Sequence, residues 1–351
     1  MPDGESLEAR SGWAPAATFA LLAVVGLAYV KWLPYWDKAF VAAAHHAIGG
    51  SILMGKAARA PAPSVQAALG YGLAYGKAIW KALVLALLMG SAVQTLLPGA
   101  LVARWLGSRR FASTLAGGAI ALPSMMCTCC AAPIVVGLRR GRAAAGAAIA
   151  YWLGNPVLNP ATLVFVGFVL GWRWALLRLA LGLPMVLGLG WLASRMTAGR
   201  GAAAATPAVA PEAASPGTPF ARWLRILARM TLQLVPEYLV LVLALGAARA
   251  WLFPTIGPAI DNHIGWIIAF AVAGTVFVIP TAGEAPILQA MMALGMGVGP
   301  AGALLMTLPA VSLPSLAMIG RSFPPRVLVM VAAGVVLFGV EGGALAVALR
   351  L

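Results

Sequence analysis

The sequence predicts an all-α, polytopic membrane protein, with about 8–10 membrane helices in two repeats whose helices are broken by proline. Three observations carry that expectation. Of 351 residues, 62% are hydrophobic and 9% charged, against roughly 25% charged in an ordinary soluble domain, too few charges to cover a surface facing water. Residues 14–30, 82–97, 179–193, 238–248, 264–279 and 327–349 are nearly free of charge, and several approach the ~20 residues a helix needs to cross a bilayer. Lastly, prolines interrupt the apolar stretches at corresponding places in the two halves of the chain.

The apolar residues are Ala, Leu, Val and Gly without period-2 alternation, so the stretches read as helices rather than barrel strands. The net charge of +15 is scattered over short segments between helices. That is a membrane-flanking pattern, and it argues against nucleic acid as a partner. The lipid bilayer is the expected surrounding, in a multi-pass protein of the cell membrane (plasma or inner membrane). A homo-oligomer is compatible with the sequence. An acidic start (Asp3, Glu5, Glu8) is the opposite of a basic leader, so the first span is expected to be retained.

Residues 1–64 are expected to hold that first span, ending at an interfacial Lys31 and Trp32, and then an interfacial or short re-entrant piece over 37–64 with His45 and His46. Residues 65–196 form the first membrane repeat. A helix covers 65–97, with Lys77 and Lys81 one turn apart, so it extends beyond the bilayer or lines a polar cavity. Half-length segments follow at 111–122 and 143–153, the first stopped by Pro123 and the second by the run Gly154, Asn155, Pro156, Val157, Leu158, Asn159, Pro160. A full span is expected over 174–193. Residues 197–219 are Ala/Pro/Gly-rich and read as a linker. Residues 220–351 form the second repeat, led by an amphipathic stretch with Arg222, Arg225 and Arg229.

The repeat is countable. Pro133 and Pro156 are 23 residues apart, as are Pro286 and Pro309, and Gly146 and Gly299 each fall ten residues before the later proline. The closing runs Asn155 to Pro160 and Leu308 to Pro314 are both proline-bracketed. Counting each broken segment as one crossing puts four spans between equivalent points, which favours repeats of the same orientation, whereas re-entrant hairpins would upset that parity.

Prolines in one lipid-facing helix could merely kink it. Four breaks in matching places, one carrying two Asn, instead imply a polar interior, because unsatisfied backbone groups survive in hydrocarbon only inside protein or beside a cavity. The candidate contact residues are therefore Cys127, Cys129 and Cys130 in the break at 123–133, Asn155 and Asn159 in the first closing run, Glu284 in the break at 280–286 and Ser312 in the second closing run. A buried thiol is commonly a small hydrophobe, but three in one break offer paired soft ligands. Cys127 and Cys129 share a side if the segment is extended, Cys127 and Cys130 if it is helical. Glu284, ionisable within a membrane segment, is a candidate proton or cation relay. No phosphate loop, zinc-protease motif or nucleophile elbow is present, so neither an enzyme nor a cofactor is expected.

Pro123, Cys127, Thr128, Cys129 and Pro133, then Gly146 and Asn155 to Pro160, resemble the core of the ArsP-type predicted permeases, which include trivalent organoarsenical efflux proteins. Lys31 to Trp36, Lys38, His46, Gly49, Gly50 and Ser51 resemble that family's N-terminal pattern, and Glu284 and the Leu308 to Pro314 run suit it too. The resemblance covers about residues 20–345 and implies a permease with Cys127 and Cys129 on the family's paired-cysteine positions, where they would meet a soft metal or metalloid. Cys130, Met125 and Met126 are departures from the pattern. Transport or efflux of a small solute, with a trivalent arsenical or soft metal species as the finer expectation, competes with a non-transporting membrane subunit or a metal or thiol sensor of a larger complex.

Overall fold

A computed structural model describes residues 4–54, 59–97, 99–198 and 218–351, and among these the regular structure is entirely helical. The polytopic all-α expectation holds. Among the described residues seven apolar segments are long enough to cross a membrane: Pro15–His45, Val65–Thr95, Ala145–Val169, Trp172–Met196, Phe220–Leu252, Val298–Gly320 and Pro325–Ala348.

The first corrects an expectation. Helix α1 (Gly4–Leu27) runs through a π-helical turn (Ala28–Trp32) into α2 (Leu33–His45) without stopping. Pro34 removes one rung of the hydrogen-bond ladder at that point, and the chain absorbs it by widening a turn. Lys31 and Trp32 thus lie inside a continuous helix, not at its interfacial end, and residues 37–45 extend that helix rather than lying along the interface.

Next come α3 (Val65–Thr95), capped by the Ser64 hydroxyl accepting from Ala67 N, and α4 (Gly99–Leu106). The broken part of the first half is α5 (Phe111–Ser124), α6 (Thr128–Arg140), α7 (Ala145–Val157) and α8 (Pro160–Val169), followed by α9 (Trp172–Met196). The second half holds α10 (Pro219–Leu252), α11 (Ile264–Val276), α12 (Glu284–Ala293), α13 (Val298–Ala310), α14 (Leu313–Gly320) and α15 (Pro325–Ala348). The segment expected to be a linker, 197–219, lies outside the described residues except at its ends.

Helix bounds correct the breaks. Pro133 lies well inside α6, and Pro156 is taken up in the last turn of α7. The non-helical links are only Met125–Cys127 and Leu158–Asn159, so Cys129 and Cys130 sit in the first turn of α6. Each internal proline leaves one carbonyl without its helical donor, and burial against neighbouring helices is what makes that tolerable.

Close approaches fix the direction of each helix. A Cβ added at Gly146 would press on Thr114, one at Gly117 on the Ala147 backbone, and one at Gly154 on Ala121. Helices α5 and α7 therefore run the same way. Between them α6 returns: its first residue, Thr128, accepts from Trp152 Nε1 (3.0 Å) near the end of α7, while Leu138 O accepts from Ala143 N (2.9 Å) just before α7 begins. The pair α5–α6 is a hairpin that enters and comes back. The second half repeats this. Gly299 lies on Ile267 and Gly274 on Thr307, so α11 and α13 run the same way and α12 returns between them.

Each hairpin contributes no net crossing. From α3 to α10 the chain crosses with α3, with α7–α8 and with α9, which is three crossings rather than four. Helices α3 and α10 consequently run antiparallel, as Tyr71 against Gly246 and Gln94 Nε2 to Met230 Sδ (3.0 Å) require. Helices α9 and α15 also run antiparallel, with Gly334 on Leu189 and Gly342 on Leu181. The breaks are turning points, not kinks in a crossing helix, so the count of four crossings gives way to three.

Helix α7 is buried at every residue and α13 at all but its first. Large apolar side chains such as Leu21, Val25, Trp36, Leu73, Leu232 and Val329 face outward from α1, α2, α3, α10 and α15. An apolar exterior around buried broken helices is the arrangement a bilayer demands.

Candidate functional site

The two hairpin tips meet at the centre. In the first, Met125 turns the chain with φ +49°, a left-handed conformation that costs an L residue about 1–2 kcal/mol and that the surroundings must hold in place. Asn155 on α7 accepts from Met126 N through Oδ1 (3.1 Å) and donates Nδ2 to Tyr151 O (2.9 Å), so both ends of its amide are occupied in pinning the tip. Ser124 pairs with the Tyr151 hydroxyl (3.1 Å), and Trp32 Nε1 donates to Pro123 O (2.7 Å).

Helical geometry decides the thiols. Cys127 caps α6 and its Sγ lies 3.0 Å from Cys130 Sγ one turn on, both as free thiols. Cys129 points elsewhere, with Sγ 3.5 Å from Ser312 Oγ at the start of α14. Of the two pairings open to the sequence, the structure has Cys127 with Cys130, not Cys127 with Cys129. Among the described residues no group of three or more His, Cys, Asp or Glu is placed to share one metal ion.

The second tip spans Phe277 to Gly283 and turns on Ala282, also left-handed (φ +65°). The Tyr71 hydroxyl donates to Val278 O here. Glu284 opens α12, 1% exposed, and its Oε1 lies 2.5 Å from Nη1 of the fully buried Arg178 on α9. Arg178 also donates Nε to Val157 O (3.0 Å) and Nη2 to Pro156 O (2.5 Å), satisfying carbonyls at the end of α7. Asn159 accepts from Thr162 N through Oδ1 (3.2 Å) and so caps α8. Glu284 Oε2 and Asn159 Nδ2 are buried without a hydrogen-bond partner among the described residues.

The contacts are crossed. The first hairpin's Cys129 reaches Ser312 in the second half's closing run, and the second hairpin's Glu284 reaches Arg178, which holds the first half's closing run. Helix α6 packs on α14, and α12 on α8.

Two charged residues here escaped the sequence reading. Arg178 lies inside the span expected at 174–193, where an ionisable residue is itself a functional signal. Lys31, expected at the interface, is 5% exposed, donating to the Tyr35 hydroxyl (3.1 Å) and Thr281 Oγ1 (3.2 Å). His46, Nδ1 2.8 Å from Phe168 O, and His263, capping α11, serve the backbone and stand apart from the tips.

Crossing helices that enclose two re-entering hairpins with polar, strained tips define a multi-pass membrane protein of the permease class. Residues 62–346 match the family described as predicted permease, ArsP_1, and the chain belongs to that family. It is 51% identical over 335 residues to UPF0718 protein YraQ of Escherichia coli (strain K12), covering 95% of each chain. No solved structure matches it.

Proposed function

We propose that this permease carries a small, thiol-seeking solute through the crossed hairpin tips, with Cys127 and Cys130 as the soft contacts. The two halves, 65–196 and 220–351, act as inverted repeats that rock about the tips to expose them alternately to each side. Helix starts support the repeat: α5, α7, α8 and α9 begin at 111, 145, 160 and 172, and α11, α13, α14 and α15 begin 153 residues later at 264, 298, 313 and 325. The observation that carries the reading is the crossing itself. Each hairpin is tied to the other half by polar contacts, the first through Cys129–Ser312 and Arg139–Ser322 and the second through Glu284–Arg178 and Val278–Tyr71, so a solute that disturbs a tip acts on both halves.

Glu284 has Arg178 as its counter-ion, which supports a latch between halves rather than a proton or cation relay. Trivalent arsenicals are the solute suggested by the resemblance to organoarsenical exporters, and two sulfurs 3.0 Å apart are suited to such a centre. The test is flux in proteoliposomes of full-length protein, with methylarsenite, Cu(I) and thiosulfate as probes. A permease moves at least one of them, and Cys127→Ser/Cys130→Ser slows it. A non-transporting subunit moves none.

A further inference from the structure

Beside the first tip lies a cavity of about 590 Å³, between the π-turn and α2 on one side, α3 on another, and the second tip at Pro280 to Gly283. Cys130 lines it, and so do Lys31, Lys38, Lys77 and Lys81. Among the described residues no Asp or Glu does. Of the carboxylates adjacent in sequence to the lining, Glu284 is paired with Arg178, and Asp37, next to Lys38, is exposed and does not line the cavity.

These lysines belong to membrane-crossing segments, Lys31 and Lys38 to Pro15–His45 and Lys77 and Lys81 to Val65–Thr95. Charges in such segments face a polar cavity, pair with opposite charges or reach the aqueous edge, and these four share one cavity. Lys31 is buried, and its hydrogen-bond partners, Tyr35 and Thr281, are both neutral. Lys38 follows Lys31 by two helical turns and lines the same cavity. Lys81 is turned to the rim, its ammonium 5.5 Å from the Tyr29 ring and 5.7 Å from Trp80. A thiolate at Cys127 or Cys130 would offset one positive charge, leaving an excess on the cavity wall. A cleft lined by one sign of charge with low-dielectric walls concentrates ions of the other sign.

We infer that this cavity binds a small anion, its charge held by Lys31, Lys38 and Lys77 and its far end set against Cys130. The inference rests on the permease reading for one step only, that the bound anion is the carried solute. Soft cations are disfavoured by the same wall, and neutral metalloid hydroxides gain nothing from it.

Two readouts separate the binding claim from the transport claim. Ala78 lines the cavity and is exposed to it, so Ala78→Cys in the full chain offers a reporter thiol that mass spectrometry distinguishes from the native three. Its rate with an anionic methanethiosulfonate over that with a cationic one, each normalised to a free thiol in solution, should be raised about tenfold or more. Lys38→Gln/Lys77→Gln should return it to parity, and thiosulfate or sulfate should slow alkylation of the reporter by N-ethylmaleimide. A normalised ratio of one in the parent, with no protection by either anion, overturns the inference whatever is transported. Flux of thiosulfate that Lys77→Gln reduces about tenfold supports both claims. Flux of methylarsenite or Cu(I) alone, with the ratio at parity, sinks the anion and leaves the permease. A raised ratio with anion protection but no flux of any probe keeps the anion site and removes the permease reading.

Discussion

Glu284 and Arg178 form a buried ion pair 106 positions apart in the chain, 2.5 Å from Oε1 to Nη1, with side chains 1% and 0% exposed. Removing either partner alone leaves an uncompensated charge in a dry interior, at a cost of about 3–5 kcal/mol. Arg178→Met and Glu284→Gln should each lower the unfolding temperature of the detergent-solubilised protein. Arg178→Met/Glu284→Leu should recover part of the loss, but not the hydrogen bonds to Pro156 and Val157. Additive losses in the double variant would show that the pair does not act as a unit.

The reversal of the chain at each hairpin sets a topology that labelling can read. Ser64 precedes α3 and Thr218 precedes α10, and these two helices run antiparallel. Ser64→Cys and Thr218→Cys should react with an impermeant thiol reagent from opposite sides of the membrane. Labelling from the same side would restore repeats of one orientation.

The thiol geometry predicts unequal cysteines. Phenylarsine oxide, which bridges two sulfurs, should bind through Cys127 and Cys130, and Cys127→Ser or Cys130→Ser should weaken binding by on the order of a hundredfold, the loss of a second tethered contact. Cys129→Ser should change it by no more than about threefold, since its sulfur faces Ser312 rather than the pair. Equal losses at all three positions would mean that the pairing shifts on binding.

Glycines that let helices touch should tolerate nothing larger. A Cβ at Gly90 would stand 2.5 Å from Pro133 O, and one at Gly137 would stand 2.6 Å from Gly90 O, where α3 crosses α6 and holds the first hairpin. Gly90→Ala and Gly137→Ala should each destabilise by about 1–3 kcal/mol through overpacking against backbone. Gly76 and Gly188 have open space, and their alanine variants should fold as the parent does. Yield and thermal stability in detergent decide it.

Much of the fold was legible because the bilayer constrains it harshly: scarce charge and long apolar stretches admit little but crossing helices. The equal 23-residue spacings from Pro133 to Pro156 and from Pro286 to Pro309 marked matching segments, and the three thiols marked one tip. The sequence by itself determined that polar, interrupted backbone must lie inside this protein and which residues it carries. Only the tertiary structure decided that the interruptions at Met125 and Ala282 reverse the chain, since a break and a turning point read alike until close approaches such as Gly117 on Ala147 fix direction. It alone brought Glu284 to Arg178, Cys127 to Cys130 and Lys31 inward. Partners on separate helices are chosen by packing in three dimensions, which local spacing does not encode.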